Sequence, residues 1–292
     1  MRIKPMQGGF SLVELLAVIA IIGTLVSLLI PAVQSTRESA RRSQCASNLR
    51  QLGIATHAYE SARGHLPPPK LGSQFENRGS TLVVLLPYLE EAAAYRDYNL
   101  DEPVDSQNNS KITSQELPVY LCPSMVIPRS VPNGDCGETL APGSYVISSR
   151  TAYSKHHSLD GAFATPKANR PYRLRFKHIK DGLTKTLLIG EIDYGYRDFK
   201  WADCSERRGQ PKWGDTTWAN GYWFFAWGHM SSEFSQLYNN NDKFLSPFSA
   251  RVFRSDHYGG VQFVYLDGSV SFLPDSTDAN VRRALVTRAG RD

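Results

Sequence analysis

The strongest feature of the hydrophobic pattern is an interval without charge. The 22 residues between Glu14 and Arg37 carry none, and Leu15 to Val33 is almost wholly apolar. As an α-helix that interval extends about 33 Å, near the thickness of a bilayer core. Beyond it the pattern becomes a stripe. Cys45, Leu49, Leu52, Thr56 and Tyr59 follow one another at spacings of 4, 3, 4 and 3, which draws one line down a helix. Gly64 suits a C-cap and Pro67-Pro68-Pro69 forbids continuation. One helix from about Ser11 to Arg63 is expected, with an embedded half and a half packed under a globular head.

The head reads as mixed α and β. Leu82 to Tyr98 is helical in pattern, with a break and restart at Pro87. Val119 to Cys122 looks like a short strand ended by Pro123. Gly143 to Ser149 and Arg173 to Ile179 alternate as strands do. Asp181-Gly182 makes a turn before the apolar run Thr186 to Gly190. Val261 to Leu266, Asp267-Gly268 and Ser269 to Leu273 read as a two-residue hairpin. Val261, Phe263 and Tyr265 should share one face and Gln262, Val264 and Leu266 the other. Five of those six are apolar, so both faces of that strand should be covered. The fold class expected is α+β, an antiparallel sheet packed on the carboxyl half of the long helix.

Composition changes this picture little. Charged residues make up 21% and apolar residues 41%, as in a soluble domain. The net charge of +5 suits an ordinary solvated surface, so no specific nucleic-acid partner is expected. No pair among the four cysteines, Cys45, Cys122, Cys136 and Cys204, has C-x-x-C spacing. An even count in an exported chain favours disulfides, with three connectivities open. Cys45–Cys122 with Cys136–Cys204 is the pairing expected, against four buried thiols.

The amino terminus decides more. A secretory signal peptide has a shorter apolar stretch ending in a small-residue site, and Pro31-Ala32-Val33-Gln34 is a poor one. An ordinary transmembrane anchor fits the length but leaves Glu14 unexplained, because a carboxylate in hydrocarbon is costly and usually functional. Gly9-Phe10-Ser11-Leu12-Val13-Glu14 resembles the type IV prepilin cleavage and methylation motif. The resemblance implies that a prepilin peptidase cuts after Gly9 and that Phe10 becomes the N-methylated first residue. It also implies that Glu14 pairs with the Phe10 amine of a neighbouring pilin-like subunit, and that Pro31 kinks the helix. Gly8 departs from the pattern, since a charged residue often precedes the glycine. The implied organisation is a leader at 1–9, a helix at 10–63 with its membrane span at about 12–33, and a head at 64–292. Counting Arg37, Arg41, Arg42 and Arg50 against Arg2 and Lys4 would put the carboxyl side in the cytoplasm. The motif and the cysteine count put it outside: a single pass of the inner membrane, with the head periplasmic or extracellular, or at the cell surface after assembly.

A second resemblance covers the head. His257, nine residues and then Asp267-Gly268 resemble the H-x(9)-D-G domain of unknown function attached to prepilin-type amino termini. Direct contact of His257 with Asp267 is not expected, because an extended strand would hold them roughly 30 Å apart. His257 should anchor the strand start, and Asp267-Gly268 should fix the register.

Three functions follow as expectations. The first is a structural subunit of a type IV pilus or type II secretion-like assembly. The second is a membrane-tethered binding module with a tryptophan-rich ligand face, from Trp201, Trp213, Trp218, Trp223 and Trp227, although packing of that segment is the plainer account. The third, least favoured, is a periplasmic enzyme using His257 and acidic neighbours. No P-loop, G-x-G-x-x-G after a strand or G-x-S-x-G occurs, so neither a cofactor nor catalytic residues are expected. His156-His157 lacks partners at ligand spacing, so no metal site is expected either.

Overall fold

The structure, a computed structural model, describes residues 12–290 apart from 74–75, 128–129, 133, 154–158, 165–173, 197, 203, 211–215, 223–225, 243–244 and 246–250. It divides into two compact units, Met1–Arg41 and Arg42–Asp292. One helix, α1 (Leu12–Arg63), runs through the boundary.

In the first unit every apolar side chain from Leu12 to Val33 is exposed, as lipid-facing residues would be. The hydroxyls in this stretch stay within the helix. Thr24 Oγ1 donates to the Ala20 carbonyl at 2.9 Å and Ser27 Oγ to the Thr24 carbonyl at 2.8 Å. Such bonds satisfy polar groups where water is excluded.

In the second unit the stripe on α1 is buried at all five positions, Cys45, Leu49, Leu52, Thr56 and Tyr59. Gly64 ends the helix with φ +72°, its N–H donating to the Glu60 carbonyl at 2.7 Å. Two short helices follow, α2 (Thr81–Leu85) and α3 (Ala92–Asp97). A 3-10 turn at Leu86–Tyr88 follows α2 and holds Pro87 near its start. Helix therefore resumes at Ala92, after Glu90 turns the chain with φ +64°, and not at Pro87. A single helical turn, α4, spans Ser110–Thr113.

The sheet contains β1 (Tyr145–Arg150), β2 (Leu187–Glu191), β3 (Trp227–His229), β4 (Gly260–Tyr265) and β5 (Val270–Pro274), in the order β3-β1-β2-β4-β5. A last helix, α5, covers Ala279–Ala284. Three ladders are antiparallel, but β3 pairs with β1 in parallel. The expected antiparallel sheet is thus mixed. The chain leaving β2 makes a long excursion before β3, and only such a crossover permits a parallel pair.

Both faces of the sheet are covered. Tyr145, Ile147, Val264 and Leu266 pack in one cluster with Cys45, Leu49, Leu52 and Ala55 of α1. Val146, Leu187, Val261 and Phe263 form a second cluster on the other face with Phe253 and Val286. Strand β4 thus divides its side chains as its alternation requires. On its α1 side, Gln262 Nε2 donates to the Arg42 carbonyl at 3.0 Å. Gly53 lets α1 approach the hairpin, since a Cβ there would sit 2.9 Å from Val264 Cγ2.

Two expected strands are absent among the described residues. Val119 to Cys122 is instead led by a 3-10 turn at Pro118–Tyr120, because Pro118 fixes φ and offers no ladder donor. In the run ending at Ile179, Phe176–His178 is also a 3-10 turn. There the Arg175 N–H donates to His178 Nδ1 at 3.0 Å and the His178 N–H to the Arg175 carbonyl at 2.9 Å. Local bonds take the groups a strand would use. Arg173 lies outside the described residues.

The β4–β5 hairpin is present, but its loop has three residues. Val264 faces Val270, Tyr265 N–H donates to the Ser269 carbonyl, and Gly268 N–H donates to the Tyr265 carbonyl. Gly268 alone in the loop has positive φ, +85°, so a type I turn with a glycine bulge replaces the two-residue turn. Asp267 Oδ1 accepts from the Ser269 N–H at 2.9 Å and from its hydroxyl at 2.6 Å. A Gly268→Val variant should lose about 1–2 kcal/mol through left-handed strain alone, since no atom lies within 4 Å of the added Cβ. A urea midpoint equal to that of the parent chain would contradict this.

Candidate functional site

The amino-terminal segment and the centre of the head each gather candidate residues. Gly9 and Phe10 lie outside the described residues. Glu14 is in the first turn of α1, where a carboxylate complements the helix dipole. Pro31 lies inside α1. Among the described residues, α1 is the one helix long and apolar enough to cross a membrane.

In the head, four elements converge on one buried point. Helix α1 supplies Cys45 and the segment after Pro118–Tyr120 supplies Cys122. The last residue of β2 is Glu191, and the turn before β4 supplies His257. Cys45 and Cys122 are joined, with Cα atoms 5.0 Å apart. His257 Nε2 lies 3.3 Å from Cys122 Sγ and 3.4 Å from Glu191 Oε1. Glu191 Oε2 accepts the Gln262 N–H at 2.9 Å. His257 therefore stands just before β4, near the expected strand start, but its partners come from elsewhere in the chain. Asp267 is exposed on the hairpin loop and is not part of this group. The sequence reading missed Glu191 as a partner. Its one signal was a carboxylate ending an apolar strand, where burial demands compensation.

A second acidic group adjoins this cluster. Asp193 is pushed well above its usual 3.8, first by burial and then by the neighbouring Asp256 carboxylate, with Arg254 opposing and Glu191 adding a little. Asp256 Oδ2 accepts the Val126 N–H at 2.6 Å. Arg254 is held by the Tyr196 hydroxyl at 2.7 Å and by the Asp193 carbonyl at 3.2 Å. Because the folded value is raised, the stability Asp193 contributes is present below 3.8 and is lost as pH rises through the folded value. Asp193→Asn cannot ionise, so its urea midpoint should fall less with rising pH than that of the parent. Parallel pH curves for the two proteins would remove this role.

Cys136 and Cys204 form a second bridge, with Cα atoms 5.6 Å apart. The tryptophans do not form a ligand face where they are described. Trp218 and Trp227 are fully buried and Trp201 nearly so. Trp218 stacks on Tyr120 at 5.4 Å, and the Trp227 indole donates to the Pro69 carbonyl. A large ring gains most from burial, which makes packing the role of these three. Trp213, Trp223, His156 and His157 lie outside the described residues.

Residues 34–280 match the family described as a protein of unknown function (DUF1559). The chain belongs to that family. Residues 4–30 of this DUF1559 chain match the prokaryotic N-terminal methylation motif. The chain is 33% identical over 99 residues to type II secretion system core protein G of Escherichia coli (strain K12), covering 34% of this chain and 62% of the relative. It is 35% identical over 68 residues to the protein of the same name from Klebsiella pneumoniae, covering 23% of this chain and 49% of the relative. The chain thus spans less than two thirds of these relatives. No solved structure matches it significantly. A methylation motif followed by an exposed apolar helix makes this DUF1559 chain a membrane-anchored, prepilin-like protein.

Proposed function

We propose that this chain is a structural subunit, pilin- or pseudopilin-like, of a type IV pilus or type II secretion-like assembly. One observation carries the reading: the methylation motif runs directly into the exposed apolar half of α1, with Glu14 in its first turn. A prepilin peptidase removes Met1 to Gly9, and Phe10 receives a methyl group on its new amine. The apolar half of α1 holds the subunit in the inner membrane and packs against the same segment of neighbouring subunits. The head lies outside the cytoplasm, where the two bridges are stable. The chain's role is assembly, without chemical turnover.

The test is the intact mass of the protein purified from membranes. Loss of Met1 to Gly9 together with the gain of one methyl group supports the reading. A mature mass that retains the leader, or lacks the methyl group, overturns it.

A further inference from the structure

The point where α1, β2 and the turn before β4 converge has the composition of a metal centre. One ligand atom from each of Cys45, Cys122, Glu191 and His257 lies within 4.8 Å of the others, and all four residues are buried. We propose that in the reduced chain these four side chains hold a zinc-class divalent cation, and that the cation and the Cys45–Cys122 disulfide are alternative occupants of one place.

The donor set fits the chemistry. Two thiolates, an imidazole and a carboxylate are ligands that a tetrahedral zinc-class ion accepts, and in such a centre neighbouring ligand atoms stand about 3.3–3.8 Å apart. His257 Nε2 already has that spacing to Cys122 Sγ, at 3.3 Å, and to Glu191 Oε1, at 3.4 Å. The two sulfurs depart from it only because they are bonded. Once the bond opens, repulsion separates them toward the spacing a metal requires.

The carboxylate is the second, independent observation. Glu191 is 2% exposed, and its Oε1 accepts no hydrogen bond, its one neighbouring cation being His257 Nε2 at 3.4 Å when that ring is protonated. A buried carboxylate oxygen without a donor costs free energy, and here it faces the sulfur and imidazole group. Its other oxygen is fixed by the Gln262 N–H, the kind of outer contact that orients a metal ligand. Three of the ligands sit on or beside a helix and two strands and Cys122 follows a 3-10 turn, so their positions do not depend on one loop.

Neither route into the metal-bound state leaves an unbalanced step. A chain that folds before its cysteines are oxidised needs no reductant, and each thiol releases its proton to solvent as it takes the metal. In oxidised protein a phosphine supplies the two electrons. It breaks the S–S bond, leaves two thiols and becomes the phosphine oxide with oxygen from water.

The test uses the full chain in detergent with Cys136→Ser and Cys204→Ser, so that the second pair offers no thiols. After phosphine reduction the protein is titrated with cobalt(II). One cobalt per chain, with a thiolate-to-cobalt charge-transfer absorption that zinc abolishes and that oxidised protein never shows, supports the site. Glu191→Gln, which keeps shape and loses charge, and His257→Gln should each weaken cobalt binding by more than about tenfold, because losing even an outer contact costs that much. A reduced chain that is unfolded and folds on adding cobalt also supports it. A reduced chain, folded or unfolded, that gives no charge-transfer band overturns the proposal. So does unchanged affinity in both variants.

Discussion

Glu14→Ala should leave cleavage after Gly9 intact and abolish assembly. The expectation rests on the proposed function and follows from where Glu14 sits. It stands at the head of an apolar interval with no other charge before Arg37, in a half of α1 whose apolar side chains are all exposed. A carboxylate carried to membrane depth is costly unless paired. The proposed partner is the methylated amine of Phe10 on an adjoining subunit. Removing one member of a buried charge pair leaves the other uncompensated, a loss of about 3–5 kcal/mol. That corresponds to roughly two to three and a half decades in association, at about 1.4 kcal/mol per decade. The proposed peptidase would meet the chain before assembly and act at Gly9, so it should tolerate the change. Intact mass reports the cut, and polymer in sheared surface fractions reports assembly. Glu14→Gln separates charge from shape and should fail as the alanine variant does. Normal polymer from either variant would sink the pairing.

What could be read in advance was what depends on neighbours in sequence. The charge-free interval and the five-residue stripe marked α1 and placed its end at Arg63. The alternation of Val261 to Leu266 assigned β4 to its faces, Asp267-Gly268 marked a real turn, and Asp181-Gly182 marked a bend that leads into a 3-10 turn at Leu183–Lys185. Strand β3 was invisible because it has three residues and takes its place by pairing with β1 far back in the chain. The run before Cys122 shows tertiary context overriding β-propensity. Val119 and Tyr120 have strand-like residue types, yet Pro118 and Pro123 leave no room for a ladder. The His257 cluster was missed for the same reason as β3. Spacing pointed from His257 forward to Asp267, whereas folding brought it to Glu191 and Cys122, which lie 66 and 135 positions back.

Replacing Cys45 and Cys122 together by alanine should cost the head about 4–5 kcal/mol. The bridge spans 77 positions, and closing a loop of that length in the unfolded chain accounts for the figure through lost conformational entropy. It is a large part of the roughly 5–15 kcal/mol that holds a domain folded. The second bridge sharpens the test. Cys136 and Cys204 are 68 positions apart, so loop entropy alone makes the two losses equal within about 0.2 kcal/mol. Their surroundings differ. Cys45 and Cys122 are buried in the main core, whereas Cys136 and Cys204 are half-exposed. Alanine at the first pair also leaves a void beside His257 and Glu191, and a buried void adds its own cost. The Cys45/Cys122 variant should therefore be less stable than the Cys136/Cys204 variant, by about 1 kcal/mol or more. Urea unfolding of the full chain in detergent measures both, with the slope of each transition checked against the parent. Equal losses would assign the effect to the unfolded chain alone. A loss below about 1 kcal/mol for the first pair would show that the bridge does not hold α1 residues 42–63 to the sheet, and that the apolar stripe suffices.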